Sequence, residues 1–351
     1  MRKLQTCSTD FQGMVNRLKN KRFTFILIGS SVLLIASFMC ALIFGRFGIK
    51  ISSFFGMLFG NGDYAIEKSI VLNLRLPRTV IAGLVGAALS VSGLLYQETF
   101  RNKLVSPDLL GVSSGAGVGA ALAIILGLPA FFISGLAFIF GLLTVAATLF
   151  VAKVFRNNSS MILTLSGIIV GGLMGSVLSF IKYLADAETT LASITFWLMG
   201  SFENSVMGDV WYLLPITAVC LSVILLISYR INVVALGKEE AQTKGVNYVF
   251  YRTLIILIAT LLTASSVAFA GTISWIGLVI PHIVRLCVGR DTTKTIPLSI
   301  TFGASFMIIS DILCRSFTAA EIPISAITGF FGTIVFIAIM YVRRNTLHEN
   351  D

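Results

Sequence analysis

Charge is scarce in this chain. Asp, Glu, Lys and Arg make up 12% of its 351 residues, about half the share found in an ordinary soluble protein. A soluble body of this size needs far more polar surface, so that class is excluded. Histidine is scarcer still. His282 and His348 are too far apart for a zinc or haem-ligand site of the usual kind. The five cysteines, Cys7, Cys40, Cys220, Cys287 and Cys314, are scattered and odd in number. They include no C-x-x-C pair and suggest neither a disulfide framework nor a metal cluster. No G-x-x-x-x-G-K-[ST] loop is present: Gly237-Lys238 runs into Glu239 and lacks the upstream glycine. H-E-x-x-H and G-x-G-x-x-G are missing too, so the chain is not expected to hydrolyse ATP alone. A G-x-S-x-G occurs by letter at Gly111, Ser113 and Gly115. A nucleophile elbow needs a strand turning sharply into a helix; these letters lie in an apolar run and read as small-residue packing. Mid-span carboxylates are almost absent, with Asp311 and Glu321 toward the outer ends of their spans. Ion-coupled carriers place ionisable groups or broken helices near the midplane, so the driving force is expected from another subunit.

What is present is apolar. Hydrophobic residues make up 56% of the chain, mean hydropathy is +0.93, and 27 Phe stand beside 31 Gly. The apolar runs are continuous over about 20 residues, the length of a membrane-crossing helix; a β-barrel would alternate with period two. The reading is an all-α polytopic membrane protein of about ten spans: 23–45, 76–97, 107–127, 131–152, 161–183, 209–229, 253–270, 272–288, 295–313 and 322–342. The first run is too long for a signal-peptide core and is read as retained. Residues 1–22 form a basic N-terminal tail, 23–344 the ten-helix body and 345–351 a C-terminal tail. Trp197 and Trp211 bracket a polar stretch and read as interfacial anchors.

Net charge is +10. The basic residues sit mostly between spans, so they speak for orientation rather than for nucleic acid. With the N-terminus inside, only Arg46, Lys50, Lys68, Arg75, Arg78, Lys182 and Arg315 fall outside among the 26 Lys and Arg. That bias places both termini in the cytoplasm. The chain is organised around Arg75 to Gly119. Arg78-Thr79-Val80-Ile81 there is echoed by Arg252-Thr253-Leu254-Ile255. The first motif heads an inward span and the second an outward one, so spans 2–5 and 7–10 read as inverted copies. The inner link 234–247 is longer than a bare turn needs. Glu239, Glu240 and Ala241 favour a short helix between Gly237 and Gly245, a docking element for a cytoplasmic partner.

Several stretches together resemble one family. They are LRLPRT (74–79), VGAALSVSG, LVSPDLLGVSSGAGVG, WLMGSF, ALGKEEAQTKGV, FAGTISWIGLVIPHIVRLCVG and AEIPISAITGFFG. The chain resembles the FecCD-type permease subunit of bacterial ATP-binding-cassette importers for ferric siderophores, haem or vitamin B12, from about residue 25 to 344. One departure is Lys103, where the family commonly has a proline after the asparagine. The resemblance implies a second permease subunit, a copy or a paralogue. It also implies two cytoplasmic ATP-binding subunits, which carry ATP and Mg, and an extracytoplasmic substrate-binding protein. It implies a bacterial plasma-membrane setting and no cofactor or catalysis in this chain. It assigns Leu236, Gly237, Glu240, Ala241 and Gly245 to ATPase coupling, and Arg75, Arg78 and Arg315 to docking of the binding protein. His282 reads as packed near a helix start rather than as a ligand. The implied cargo is a ferric siderophore, with haem or cobalamin as the alternative. An ion-coupled secondary carrier, which would need midplane ionisable groups, is the reading from another class.

Overall fold

The computed structural model describes residues 2–45, 47–59, 64–155, 160–317 and 321–348. Among these residues, eight helices are long and apolar enough to cross a membrane. α1 (Arg2–Ile43) begins well before Phe23, and its crossing part is Asn20–Ile43. In the outer link, α2 (Ile51–Phe59) and α3 (Ala65–Ser69) follow, and neither is anticipated by span counting. They are short, and Phe54 of α2 is buried against Leu42, Ile49 and Val71. A π-helical turn, Ile70–Arg75, carries α3 into α4 (Leu76–Thr99), giving one 35-residue rod. α5 (Val112–Ile125), α6 (Ala130–Val154), α7 (Ser160–Leu184), α8 (Thr190–Met199) and α9 (Met207–Leu226) complete the first half. α10 (Ser228–Leu236) and α11 (Lys238–Thr243) form the inner link. The second half is α12 (Tyr248–Ala270), α13 (Ile276–Val288), α14 (Thr292–Ser316) and α15 (Ile324–His348).

The ten expected spans resolve into eight full crossings and two partial ones. α5 has 14 residues and α13 has 13. At about 1.5 Å per residue each covers about 20 Å of an apolar core about 30 Å thick. Both start late for a local reason. Pro107–Leu110 forms a 3-10 turn that ends at Gly111, whose φ of 78° is left-handed. Before α13 the chain turns through Gly271 (φ 69°) and Trp275 (φ 72°). Glycine adopts that conformation freely; for Trp275 it is strained.

Burial separates the centre from the rim. Within their crossing windows α3–α4 is 83% buried and α12 72%, against 22% for α1, α7 and α15. α4 and α12 are therefore the central pair. Ser92 Oγ bonds the Ala259 carbonyl (2.9 Å) and Thr263 Oγ1 (2.6 Å), and Tyr96 OH meets Thr260 Oγ1 at 2.8 Å. Hydroxyls and small residues hold membrane helices together where the hydrophobic effect cannot. Gly93 packs backbone to backbone on Gly277, and Gly86 on Gly303; a methyl group at either position would overlap a carbonyl.

The inverted repeat is visible in who touches whom. α5 packs on α6 as α13 packs on α14, and α5 on α7 as α13 on α15. α6 packs on α12 as α14 packs on α4. Gly141 of α6 faces Ala264, as Gly303 of α14 faces Ser90.

Candidate functional site

At one end of the bundle, the end expected to be outer, the three arginines assigned to docking come together, but their guanidiniums are buried against the chain. Arg75, Arg78 and Arg315 are buried, at 5%, 8% and 6% exposure. Arg75 donates to the carbonyls of Leu42 (2.8 Å), Ile43 (2.6 Å) and Phe47. It thus satisfies carbonyls that α1 leaves open at its C-terminus. Arg78 meets Asp311 at 2.7 Å and grips both oxygens of Glu321, at 2.7 and 2.9 Å. Arg315 bonds the Ala41 carbonyl at 2.6 Å and lies 3.5 Å from Asp311. The result is one knot joining the end of α1, the start of α4, the end of α14 and the approach to α15. Such a planar, bidentate arrangement is what arginine does best.

The opposite end of α4 has a matching tie that span counting does not anticipate. Arg285 of α13 donates to Gln97 Oε1 (2.6 Å) and Glu98 Oε1 (3.0 Å) at the end of α4. Gln97 in turn donates to the carbonyls of Val105 and Gly277, both at 3.2 Å. α4 is therefore pinned by ion pairs at both ends. His282 lies in the body of α13 rather than near its start. Its Nδ1 is 2.7 Å from the Leu278 carbonyl and its ring meets the edge of Phe336. Among the described residues no group of three or more His, Cys, Asp or Glu is placed to hold a metal.

The five residues expected to couple lie along one stretch: Leu236 ends α10, Gly237 precedes α11, Glu240 and Ala241 lie on α11, and Gly245 follows it. Gly237 turns the chain with φ of 120° and opens α11. Ala241 is fully buried and anchors that helix, while Glu240 and Leu236 are exposed. Gly245 closes it with φ of 70°. Its N–H reaches the Gln242 carbonyl (3.0 Å) and the Val246 N–H the Ala241 carbonyl (2.9 Å), the glycine cap expected at a helix C-terminus. Asn247 then caps α12 through Phe250 N at 3.1 Å. The link is thus a short ordered helix with Lys238, Glu239 and Glu240 exposed on it. Arg101, from the link after α4, stands beside it: a Cβ on Gly237 would lie 3.0 Å from the Arg101 guanidinium.

A third feature lies between the two ends. The links before α5 and α13 meet, with the Pro107 ring against Gly277. Beside them is a cavity of about 360 Å³, bounded also by α7, α8 and α12. Asp108 opens into it, its Oδ1 accepting from Ser113 N at 2.8 Å. Residues 33–342 match the FecCD transport family. The chain belongs to the FecCD transport family. This FecCD chain is 34% identical to the molybdate import permease MolB of Haemophilus influenzae, over 92% of this chain and 98% of that one. It is 38% identical to the cobalamin import permease BtuC of Halobacterium salinarum, over 77% of this chain and 73% of that one. A solved inward-facing structure of a transporter assigned to the metal-chelate ABC type superposes with a TM-score of 0.83 at 34% identity, over 91% of this chain and 99% of that one. The FecCD chain is a multi-pass permease subunit of an ABC importer, a translocation subunit without an ATPase domain of its own.

Proposed function

We propose that this permease passes a metal chelate into a bacterial cell, with a ferric siderophore as the first cargo and haem or cobalamin as the alternative. The observation that carries the mechanism is α11: a short, largely exposed helix set between two positive-φ glycines, in a sequence that has no nucleotide loop. Leu236, Gly237, Glu240, Ala241 and Gly245 seat this element in a cytoplasmic ATP-binding subunit, so that closure of two such subunits moves the helices above them. The chain works beside a second permease, a copy or a paralogue, with both termini in the cytoplasm. An extracytoplasmic binding protein delivers cargo to the outer mouth framed by Arg75, Arg78 and Arg315. All three guanidiniums already have partners in the chain. Acidic side chains on the binding protein therefore gain purchase by competing with Glu321, the more exposed of the two carboxylates. The metal-chelate reading draws support from the inward-facing relative, and the cobalamin reading from the BtuC of Halobacterium salinarum.

The test is reconstitution in liposomes with the cognate ATPase and binding protein, reading ATP-dependent uptake of an iron-loaded siderophore. Haem, cobalamin and molybdate serve as competitors. Uptake needing all components supports the assembly, and the winning competitor names the cargo. Uptake driven by an ion gradient with no ATPase present would refute the coupling role of α11.

A further inference from the structure

The two ends of α1 are held differently. At its C-terminus Arg75 and Arg315 bond its last carbonyls. At the other end, where the crossing part Asn20–Ile43 begins, Lys21 and Arg22 are exposed. Lys294 of α14 reaches across to them, its Nζ donating to Asn20 Oδ1 at 2.9 Å. Arg290, exposed in the link before α14, adds a fourth cation. Among the described residues none of these four belongs to an ion pair within 4.0 Å. Asp291, the carboxylate of that link, already accepts from Asn232 and Thr293. Lys294 also stands in the first turn of α14, where the helix dipole disfavours a cation. Beside the charges a groove of about 460 Å³ runs along α1, lined by Asn20, Lys21, Thr24, Phe25 and Ile28. Its head is polar and cationic. Phe25 and Ile28, both exposed, carry it about 8 and 12 Å further along the helix at 1.5 Å per residue. Val32 and Ile35 continue the exposed apolar strip. A basic head with an apolar trough beneath it has the order of a phospholipid, phosphate at the boundary and acyl chain below. Basic pockets between spanning helices take anionic headgroups in this way.

We propose that Lys21, Arg22 and Lys294, with the groove along Thr24, Phe25 and Ile28, seat one anionic phospholipid, which fastens this end of α1 to α14 as Arg315 fastens the other. The lipid phosphate stands where no carboxylate does and accepts from the two ammoniums and the guanidinium. One acyl chain lies in the groove. A zwitterionic lipid, whose own cation neutralises its phosphate, is the poorer occupant.

The experiment uses the complete importer in neutral detergent, offered phosphatidylglycerol or phosphatidylcholine with the same acyl chains. Native mass spectrometry counts the lipid retained, and thermal unfolding is followed as each lipid is added. Wild type should retain phosphatidylglycerol in preference and melt higher with it. Each basic side chain at an anionic headgroup is worth roughly fivefold in affinity, so Lys21→Ala/Arg22→Ala/Lys294→Ala should weaken this seat by roughly a hundredfold and erase the stabilising effect. Lys50→Ala/Lys68→Ala, which removes two exposed cations from the outer link, should change neither readout. Ile28→Trp fills the groove and keeps every charge; it should also cut retention, and it serves if the triple variant does not assemble. Inorganic phosphate alone should not raise the melting temperature as the lipid does. Wild-type retention in the triple variant or in Ile28→Trp overturns the lipid seat. So does an equal loss in Lys50→Ala/Lys68→Ala, or stabilisation by inorganic phosphate that matches the lipid. Cargo uptake plays no part in these readouts, so failure of the lipid seat leaves the importer reading intact.

Discussion

Replacing Asp311 by asparagine should unfasten the outer end of the bundle. Asp311 is 1% exposed and lies between two guanidiniums, 2.7 Å from Arg78 and 3.5 Å from Arg315. The substitution keeps the shape and removes the charge. Arg78 then retains only Glu321, and Arg315 retains the Ala41 carbonyl. Two buried cations are left to share one carboxylate. Neutralising one partner of a buried pair costs about 3–5 kcal/mol, a large part of the roughly 5–15 kcal/mol that holds a typical domain folded. Glu321→Gln should cost less, about 1.5–3 kcal/mol, because Glu321 is 20% exposed and water can replace part of the bond. Thermal survival of the monodisperse peak in detergent is the assay, with wild type, both single variants and Asp311→Asn/Arg315→Met compared. The double variant should lose less than the sum of its singles, since it also removes a cation left without its carboxylate. If Asp311→Asn melts with wild type, within about 0.5 kcal/mol, the knot contributes nothing, and the arginines are free to turn outward to a docking partner.

Three other outcomes follow from the packing and the links. Gly93→Ala should lower detergent stability by about 1–3 kcal/mol, because its methyl meets the Gly277 carbonyl, whereas Gly172→Ala, with open space at its Cβ, should be neutral; melting curves separate them. Glu240→Ala on the exposed face of α11 should cut ATP-driven uptake several-fold without changing the melting temperature, and equal loss of both would assign it a folding role. Asp291 precedes α14, and burial works against its ionised form. Hydrogen bonds from Thr293 and Asn232 outweigh that and hold the carboxyl below the usual range. A lowered folded value means stability that is present above the ordinary Asp pKa of about 3.9 and lost as pH falls through the folded one. Unfolding measured between neutral and about pH 3 should therefore show an acid limb, and Asp291→Asn should flatten it.

Membrane class, the number of membrane-entering helices and the inverted halves were legible because the length of an apolar run is a local property. α11 was legible for the same reason, with a glycine at each end. The arginine knot was not. Arg78 and Asp311 are 233 residues apart, and nothing local tells an arginine that faces a partner from one that caps its own helices. The short α2 is apolar but below spanning length, so it disappears into an outer link. Asp108 left a readable sign. It falls inside the expected span 107–127 beside a proline, and there the chain makes a 3-10 turn before α5 begins at Val112.

In a scaffold whose halves are inverted copies, the paired helices α4–α7 and α12–α15 carry little polarity of their own. The crossed contacts of α4–α7 and α12–α15 look alike from either side of the membrane. What differs is the two faces: a capped helix stands proud on one, and a knot of arginines and carboxylates closes the other. Such a passage is a door hung on symmetrical hinges. The two faces, not the repeated core, are where the two sides of the membrane are told apart.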